Sequence, residues 1–196
     1  MKQLTILIAT AMLFSANSVV GAPEPAKQTA RTKAGLYVTA TEAHEMLTNQ
    51  KDRKVVLIDV RDPVEIMFTG NTEMADAYVP LKIVDPSIWD EENTRYQVNT
   101  NRDFVSETVA ALDKLGADQN THVIFMCRSG STRSGPAADA LYEAGYPHVY
   151  TMVDGFEGGS AKSGPHTGSR VVNGWKNSGL PWGWKLDGQK MYVVIR

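Results

Sequence analysis

Cysteine is nearly absent from this chain, because Cys127 is the only one among 196 residues. A single cysteine cannot form an internal disulfide, and it excludes a reductase mechanism that needs a second, resolving cysteine in the same chain. In an oxidising compartment a lone exposed thiol is a liability unless it has a chemical role. Cys127 is therefore the first candidate for a reactive group.

An excess of charge of one sign is also lacking. Lys and Arg number 20 and Asp and Glu number 22, which gives a formal net charge of -2. Such a composition offers no basic footprint for nucleic acid or for an anionic membrane, so we expect no nucleic-acid partner. The four histidines lack a metal-ligand spacing such as His-x3-His. No metal site is expected.

The first 22 residues have the pattern of a secretory signal peptide. Lys2 gives a positive start, residues 4–14 form an apolar core, and small residues follow to Ala22. This core is too short to span a bilayer, so we expect a cleaved signal and a periplasmic or secreted protein, with membrane contact only if cleavage fails. Residues 23–34 are expected to form a flexible leader, and residues 35–196 a single domain with a Trp-rich C-terminal extension.

Apolar runs alternate with helical patterns along this domain. The predicted helices cover residues 41–47 (capped by Thr41), 104–115 and 134–144, and the predicted strands cover 54–60, 77–84, 122–126 and 148–153. The acidic stretch 85–95 has no predicted element, and residues 158–170 predict a mobile Gly/Ser-rich loop. Strands alternating with helices indicate an α/β domain with a central, mainly parallel sheet flanked by helices.

Cys127 begins a small polar loop between the strand at 122–126 and the helix at 134–144. The loop residues are Cys127, Arg128, Ser129, Gly130, Ser131, Thr132 and Arg133. Such a strand–loop–helix unit directs several backbone N–H groups to one point at a helix N-terminus, where negative charge is favoured. A cysteine there has a depressed pKa, and its thiolate is the attacking form. We therefore expect a nucleophile at the base of an oxyanion cradle.

Four segments, in order, resemble the rhodanese-like sulfurtransferases. They are residues 57–61 (LIDVR), residues 123–130 (VIFMCRSG), residues 137–146 (AADALYEAGY), and residues 149–156 (VYTMVDGF). A late Gly179-Leu180-Pro181 also fits the closing segment of such domains. The resemblance covers residues 39–181, and its specificity comes from the order and spacing of the segments.

This resemblance implies a rhodanese-like fold and a persulfide mechanism without metal or cofactor. Cys127 would take the outer sulfur of a donor such as thiosulfate, and cyanide, a small thiol or a protein thiol would then remove it. The loop amides would hold the terminal sulfur, and Arg128 would bind the anionic donor. Arg61 lies near the loop in such domains, although an ion pair with Asp59 or Asp62 is an equally available role.

The length of the loop leaves a second chemistry open. Many rhodanese-like domains with a Cys-Arg-Ser-Gly start place the loop arginine one residue earlier, whereas Thr132 gives a Cys-x5-Arg spacing here. This spacing resembles that of cysteine-dependent phosphatases, including rhodanese-fold phosphatases and arsenate reductases, whose wider loop fits a tetrahedral oxyanion.

Other positions argue for sulfur chemistry. Met126 stands where the protein tyrosine phosphatases usually carry a histidine, and their Trp-Pro-Asp acid loop has only Trp89-Asp90 as a counterpart. Asp85 and Asp90 are the candidate general acids. We favour a sulfurtransferase, with a phosphatase or arsenate-type enzyme and a non-turnover sulfur carrier or redox sensor as alternatives. Glu65 is expected to be structural and Glu157 a solvated loop charge.

Overall fold

The computed structural model describes residues 21–26, 28–50 and 53–193. Residues 1–20, which hold nearly all of the predicted signal peptide, lie outside the described residues. Within the described ranges no helix is both long enough and apolar enough to cross a membrane.

The described elements alternate between strand and helix, as the sequence predicts. The strands are β1 (Leu36–Val38), β2 (Val55–Asp59), β3 (Ala77–Tyr78), β4 (Lys82–Asp90), β5 (Arg95–Thr100), β6 (His122–Met126) and β7 (Val149–Met152). The helices are α1 (Ala40–Thr48), α2 (Pro63–Thr69), α3 (Phe104–Lys114) and α4 (Ser134–Glu143), with 3-10 turns at Gln28–Ala30 and Lys176–Ser178.

Five of the strands form one parallel sheet in the order β1-β7-β6-β2-β3. The two central strands are in register from Val55 opposite His122 to Asp59 opposite Met126. All five residues of β2 are buried, as expected for a strand covered on both faces. The predicted α/β class with a central parallel sheet is therefore confirmed.

Helices cover both faces because side chains alternate along each strand. On one face, β2 and β6 pack against α3 and α4, and the cluster includes Val56, Ile58, Val123, Phe125, Leu112 and Leu141. On the other face they pack against α1, α2 and the C-terminal tail, and the cluster includes Leu57, Ile124, Met126, Leu47, Ile66 and Trp175. Because the strands are parallel, the ends of β2, β6 and β7 meet at one edge, where Arg61, Cys127 and Asp154 follow.

The region between residues 60 and 100 differs from the prediction. The predicted strand at 77–84 is two elements: β3 joins the main sheet and ends at Tyr78, and β4 begins at Lys82 in a separate antiparallel pair with β5. Pro80 lies between them and has no N–H group to donate to a ladder. The acidic stretch 85–95, for which no element is predicted, forms much of this hairpin.

The starts of helices α1 and α2 also differ from the prediction. Thr39 caps α1, not Thr41, because its hydroxyl accepts a hydrogen bond from Glu42 N while the Glu42 carboxylate accepts one from Thr39 N. Helix α2 at residues 63–69 is absent from the prediction, although Asp62 and Pro63 are a strong start signal. The Asp62 carboxylate accepts a hydrogen bond from Val64 N, and Pro63 opens α2.

The segments at both ends of the domain are attached to it. In the predicted leader, Lys33 N donates to the Asp139 carboxylate on α4 at 2.7 Å. Residues 158–170 are closed by bridges from Ser160 to Arg170 and from Ala161 to Thr167. In the Trp-rich tail, Trp175 is buried and its indole N–H donates to Pro181 O at 2.9 Å.

Candidate active site

Cys127 lies at the base of the predicted loop, directly after β6. It is 1% exposed, and its Sγ lies 3.4 Å from the hydroxyl of Ser134, the first residue of α4. Burial raises the pKa of the Cys127 thiol, but hydrogen bonds from Ser134 and the Ser129 amide, together with the charge of Arg133, outweigh it and hold the pKa below its ordinary value. The geometry thus supports a reactive thiol at the predicted position.

The turn after β7 hydrogen-bonds to the backbone at the start of the loop. Phe156 N donates to Cys127 O and Glu157 N donates to Arg128 O, both at 2.8 Å. Gly155 makes this approach possible, because its φ is +63° and a Cβ there would lie 2.4 Å from Cys127 O. This contact gives a physical reason for the Asp-Gly-Phe segment of the family resemblance.

The two arginines of the loop both have carboxylate partners. Arg128 Nε donates to Glu157 at 2.6 Å, and the arginine side chain remains 44% exposed. Arg133 donates from both terminal nitrogens to the two carboxylate oxygens of Glu65, at 2.6 and 3.0 Å, and is mostly buried. Arg133 therefore provides a fixed charge near Cys127, whereas Arg128 presents its charge to solvent.

Arg61 is buried and does not join the loop arginines. Its side chain is 0% exposed and hydrogen-bonds the carboxylate of Asp59, with the shortest contact at 2.6 Å. The remaining donors reach Thr69 Oγ1 and Gly70 O, and the guanidinium carbon lies 4.1 Å from the ring centroid of Phe156. The geometry thus favours the ion pair with Asp59 over a substrate contact.

The other predicted loop residues lie on its rim and floor. Ser131 and Thr132 are exposed, Ser129 is half-buried, and the Ser129 and Ser131 hydroxyls are 3.0 Å apart. Gly130 is buried with φ +70°, and a Cβ there would lie 2.1 Å from the backbone of Val153. The rim is therefore polar, and the floor admits only glycine.

The two candidate general acids are in the β4–β5 hairpin. The Asp85 carboxylate accepts hydrogen bonds from the amide and hydroxyl of Ser87. The Asp90 carboxylate accepts from the amide and the side chain of Asn93. Asp90 thus takes part in the turn between the two strands, and Asp85 hydrogen-bonds within the irregular part of β4.

Sequence reasoning missed the partners of the loop arginines. Glu65, which is expected to be structural, pairs with Arg133. Glu157 is not the solvated charge that the sequence predicts, because its side chain is 14% exposed and paired with Arg128. One available signal for Glu65 was its position in the first turn after Asp62-Pro63, which aligns it with the edge of the sheet where the loop begins.

Comparisons with known proteins agree with this architecture. The model of the Rhodanese-like domain family matches residues 39–162. An uncharacterized protein of Rickettsia rickettsii is 28% identical over 146 residues (74% of this chain and 94% of the relative), and one of Rickettsia conorii is 29% identical over the same shares. The crystal structure of Rv0390 from M. tuberculosis has 31% sequence identity and a TM-score of 0.53, and the match covers 76% of this chain and 97% of that one. The chain therefore belongs to the rhodanese-like domain family, within a superfamily of sulfurtransferase and phosphatase type.

Proposed function

We propose that the chain is a sulfurtransferase that carries sulfane sulfur as a persulfide on Cys127. One observation carries this proposal. A thiol of lowered pKa lies at the base of a loop, and the carboxylates that contact this loop bind its arginines and not the thiol. Among the described residues, the carboxylates that hydrogen-bond the loop are Glu65 and Glu157, and each binds an arginine. The loop thus offers a nucleophile, and the partly exposed Arg128 offers N–H donors for an anion.

The first step transfers sulfur from an anionic donor such as thiosulfate. The Cys127 thiolate attacks the outer sulfur of thiosulfate, the bond between the two donor sulfurs breaks, and sulfite leaves with the bonding electron pair. The product on the enzyme is a persulfide whose terminal sulfur carries the negative charge. The amides of Ser129 and Ser134 act on the Cys127 sulfur, to which the terminal sulfur would be bonded, so they are suited to stabilise that charge.

The second step returns the enzyme to its starting state. A nucleophile such as cyanide or a thiolate attacks the terminal sulfur, the sulfur–sulfur bond of the persulfide breaks, and Cys127 regains its thiolate. Neither step protonates a leaving group, because sulfite and the Cys127 thiolate both leave as stable anions. Hydrolysis of a phosphate ester, by contrast, benefits from an acid that protonates the departing oxygen. Hydrogen bonds from Asn93 hold the pKa of the Asp90 carboxyl below its ordinary value, so Asp90 is ionised and unsuited to this role, which favours sulfur transfer.

Arg128 is suited to bind the donor. Its side chain is 44% exposed at the rim of the loop, and Nε alone contacts Glu157, which leaves the terminal nitrogens to donate to an anion. A charge-assisted contact of this kind contributes about 1.5–3 kcal/mol. The expected partners are therefore a small sulfur-containing anion and a thiol acceptor, which includes a protein thiol.

Intact mass after incubation with thiosulfate tests the proposal. We expect a gain of one sulfur atom per chain that cyanide removes, together with catalytic formation of thiocyanate. Loading without turnover would instead favour the sulfur carrier or redox sensor. A free, alkylatable Cys127 that gains no sulfur would contradict the sulfurtransferase assignment and favour oxyanion chemistry.

A phosphatase or arsenate-type activity remains the second candidate because of the spacing between Cys127 and Arg133. The added residue in this loop is Thr132, which is exposed at the rim. Both terminal nitrogens of Arg133 bind Glu65, but the guanidinium has further N–H groups that could contact a tetrahedral anion.

Deleting Thr132 separates the two candidates. We expect thiosulfate turnover to be retained, while inhibition by phosphate or arsenate weakens about tenfold, the loss of one charge-assisted contact. Inhibition constants and kcat/KM measure both effects. Thr132→Ala, which keeps the loop length, separates the role of the side chain from that of loop size. Collapse of thiosulfate turnover in a folded deletion variant would contradict this interpretation of loop length.

A further inference from the structure

Glu65 lies on a short helix that is held at both ends. At the N-terminus of α2, the Asp62 carboxylate accepts a hydrogen bond from Val64 N at 2.7 Å. At the C-terminus, Arg61 donates to Thr69 Oγ1 and Lys176 donates to Thr69 O at 2.9 Å. A helix of 7 residues is not stable in isolation, so these contacts fix its position. The carboxylate of Glu65 is therefore held on a rigid support.

This support brings Glu65 against Arg133 with a defined geometry. The two ends of the carboxylate accept from the two terminal nitrogens of Arg133, and both side chains are mostly buried. Such a fork-to-fork pair fixes the plane of the guanidinium as well as its distance. Arg133 is the residue immediately before α4, and its charge acts on Cys127.

We propose that Glu65 is a positioning residue, which holds the guanidinium of Arg133 beside Cys127 and so keeps the thiol reactive. The inference rests on the proposed role of Cys127 as the nucleophile, but it does not depend on the donor. Glu65 acts on the sulfur through Arg133, since Glu65 binds Arg133 and the charge of Arg133 in turn acts on Cys127.

The charges around the pair are consistent with this role. Burial raises the pKa of Glu65, but the hydrogen bonds from Arg133 and the charges of Arg133, Arg61 and Arg128 outweigh it and hold the pKa below its ordinary value. Glu65 therefore stays ionised at the pH values at which Cys127 is a thiolate. Besides burial, the largest effects on Cys127 itself come from Ser134, Arg133 and Ser129. The carboxylates of Glu65 and Asp59 act in turn on Arg133.

The sign of the effect on Cys127 separates positioning from simple proximity. As a nearby negative charge, Glu65 disfavours a thiolate, so its removal would lower the pKa of the thiol. As the group that holds Arg133, it favours the thiolate, so its removal would raise the pKa. The two roles thus predict opposite shifts.

Alkylation of Cys127 by iodoacetamide across a range of pH measures this shift. Because the chain has one cysteine, the added mass reports that thiol alone, and no sulfur donor is needed. We expect Glu65→Ala to raise the titration midpoint by about one pH unit, which slows alkylation about tenfold at pH values below both midpoints. A lowered or unchanged midpoint in a folded Glu65→Ala protein would overturn the proposal.

A double-mutant cycle tests whether the effect passes through Arg133. Glu65→Ala is expected to raise the midpoint only while Arg133 is present. In the Arg133→Met background it is expected to leave the midpoint unchanged or to lower it, because only the direct charge of Glu65 is then lost. Additive shifts would overturn the proposal. Glu65→Gln keeps an acceptor for Arg133, so it is expected to shift the midpoint less than Glu65→Ala, and it carries the test if the alanine variant does not fold.

The matched control is the exposed ion pair between Lys33 and Glu143 near the end of α4. Glu143→Gln removes a carboxylate from an ion pair on the helix that begins at the loop, but at its opposite end. The midpoint of Cys127 is expected to stay unchanged in this variant. An equal shift in Glu143→Gln would mean that any loss of negative charge moves the midpoint, and it would overturn the assignment to Glu65.

Discussion

Cys127→Ser is expected to lose both the thiosulfate-dependent gain of sulfur and all turnover, down to the uncatalysed rate. The serine hydroxyl is not ionised under conditions in which the thiol of Cys127 is, and it cannot form a persulfide. Because the chain has no other cysteine, no second thiol can replace it. Intact mass and thiocyanate formation measure the two losses separately.

The fold of this variant should survive. Cys127 is buried, and the Ser134 hydroxyl near its sulfur can hydrogen-bond a serine in its place. The thermal midpoint and the circular dichroism spectrum of Cys127→Ser are therefore expected to stay close to those of the parent chain. Sulfur transfer retained in the variant would contradict the nucleophile assignment. Cys127→Ala, which removes the hydroxyl as well, controls for residual chemistry of the serine.

The central sheet could be predicted because its strands have a strong local signal. The strand at 122–126 matches β6 at both ends, and β2 differs from its prediction by one residue at each end. Strands buried on both faces are continuous apolar runs, and no tertiary information is needed to recognise them. The loop at 127–133 follows from β6 and α4 for the same reason.

The hairpin of β4 and β5 could not be predicted in this way. Most residues of both strands are exposed or half-buried, so neither apolar alternation nor a helical stripe marks them. Hydrogen bonding between the strands defines the element, and part of that pairing is irregular between Asp85 and Trp89. Strands that pair through their backbones and expose their side chains cannot be recognised from the pattern of apolar residues.

The site likewise has a part that could be predicted from the sequence and a part that could not. Cys127 and Arg133 are visible in the sequence because one loop contains both. The partner of Arg133, by contrast, is Glu65, which lies 68 residues away along the chain. Sequence spacing carries no information about such a pair, since only the parallel sheet brings the end of β2 beside the end of β6.

The ion-pair partner of Arg61 is one of two aspartates close to it in the sequence. The sequence offers Asp59 and Asp62 as ion-pair partners, and the structure pairs Arg61 with Asp59. Arg61 N also donates to Asp59 Oδ1 across the bend that follows β2, which keeps the two side chains together. Asp62 instead begins α2, where a carboxylate satisfies free N–H groups. Its other carboxylate oxygen accepts from Val84 N at 2.8 Å, so it also ties α2 to the hairpin.

Arg61→Met is expected to destabilise the fold by about 3–5 kcal/mol, the usual cost of breaking a buried ion pair. Both side chains of the pair are 0% exposed, so the variant leaves the Asp59 carboxylate buried without its cation. It also removes the donors to Thr69 and Gly70 at the end of α2. Since a domain of this size has a free energy of unfolding of about 5–15 kcal/mol, the loss is a large share of the total. Urea unfolding measures it.

A second substitution distinguishes the buried-charge effect from the loss of the α2 contacts. Adding Asp59→Asn to Arg61→Met removes the unpaired charge, so the double variant is expected to be more stable than Arg61→Met alone. If Arg61 instead bound the donor directly, Arg61→Met would raise the KM for thiosulfate while the free energy of unfolding stayed near that of the parent chain. That result would contradict the ion-pair role and return Arg61 to the substrate site. The expected result makes Arg61 a residue that supports the proposed site indirectly, by holding α2, and with it Glu65, in place.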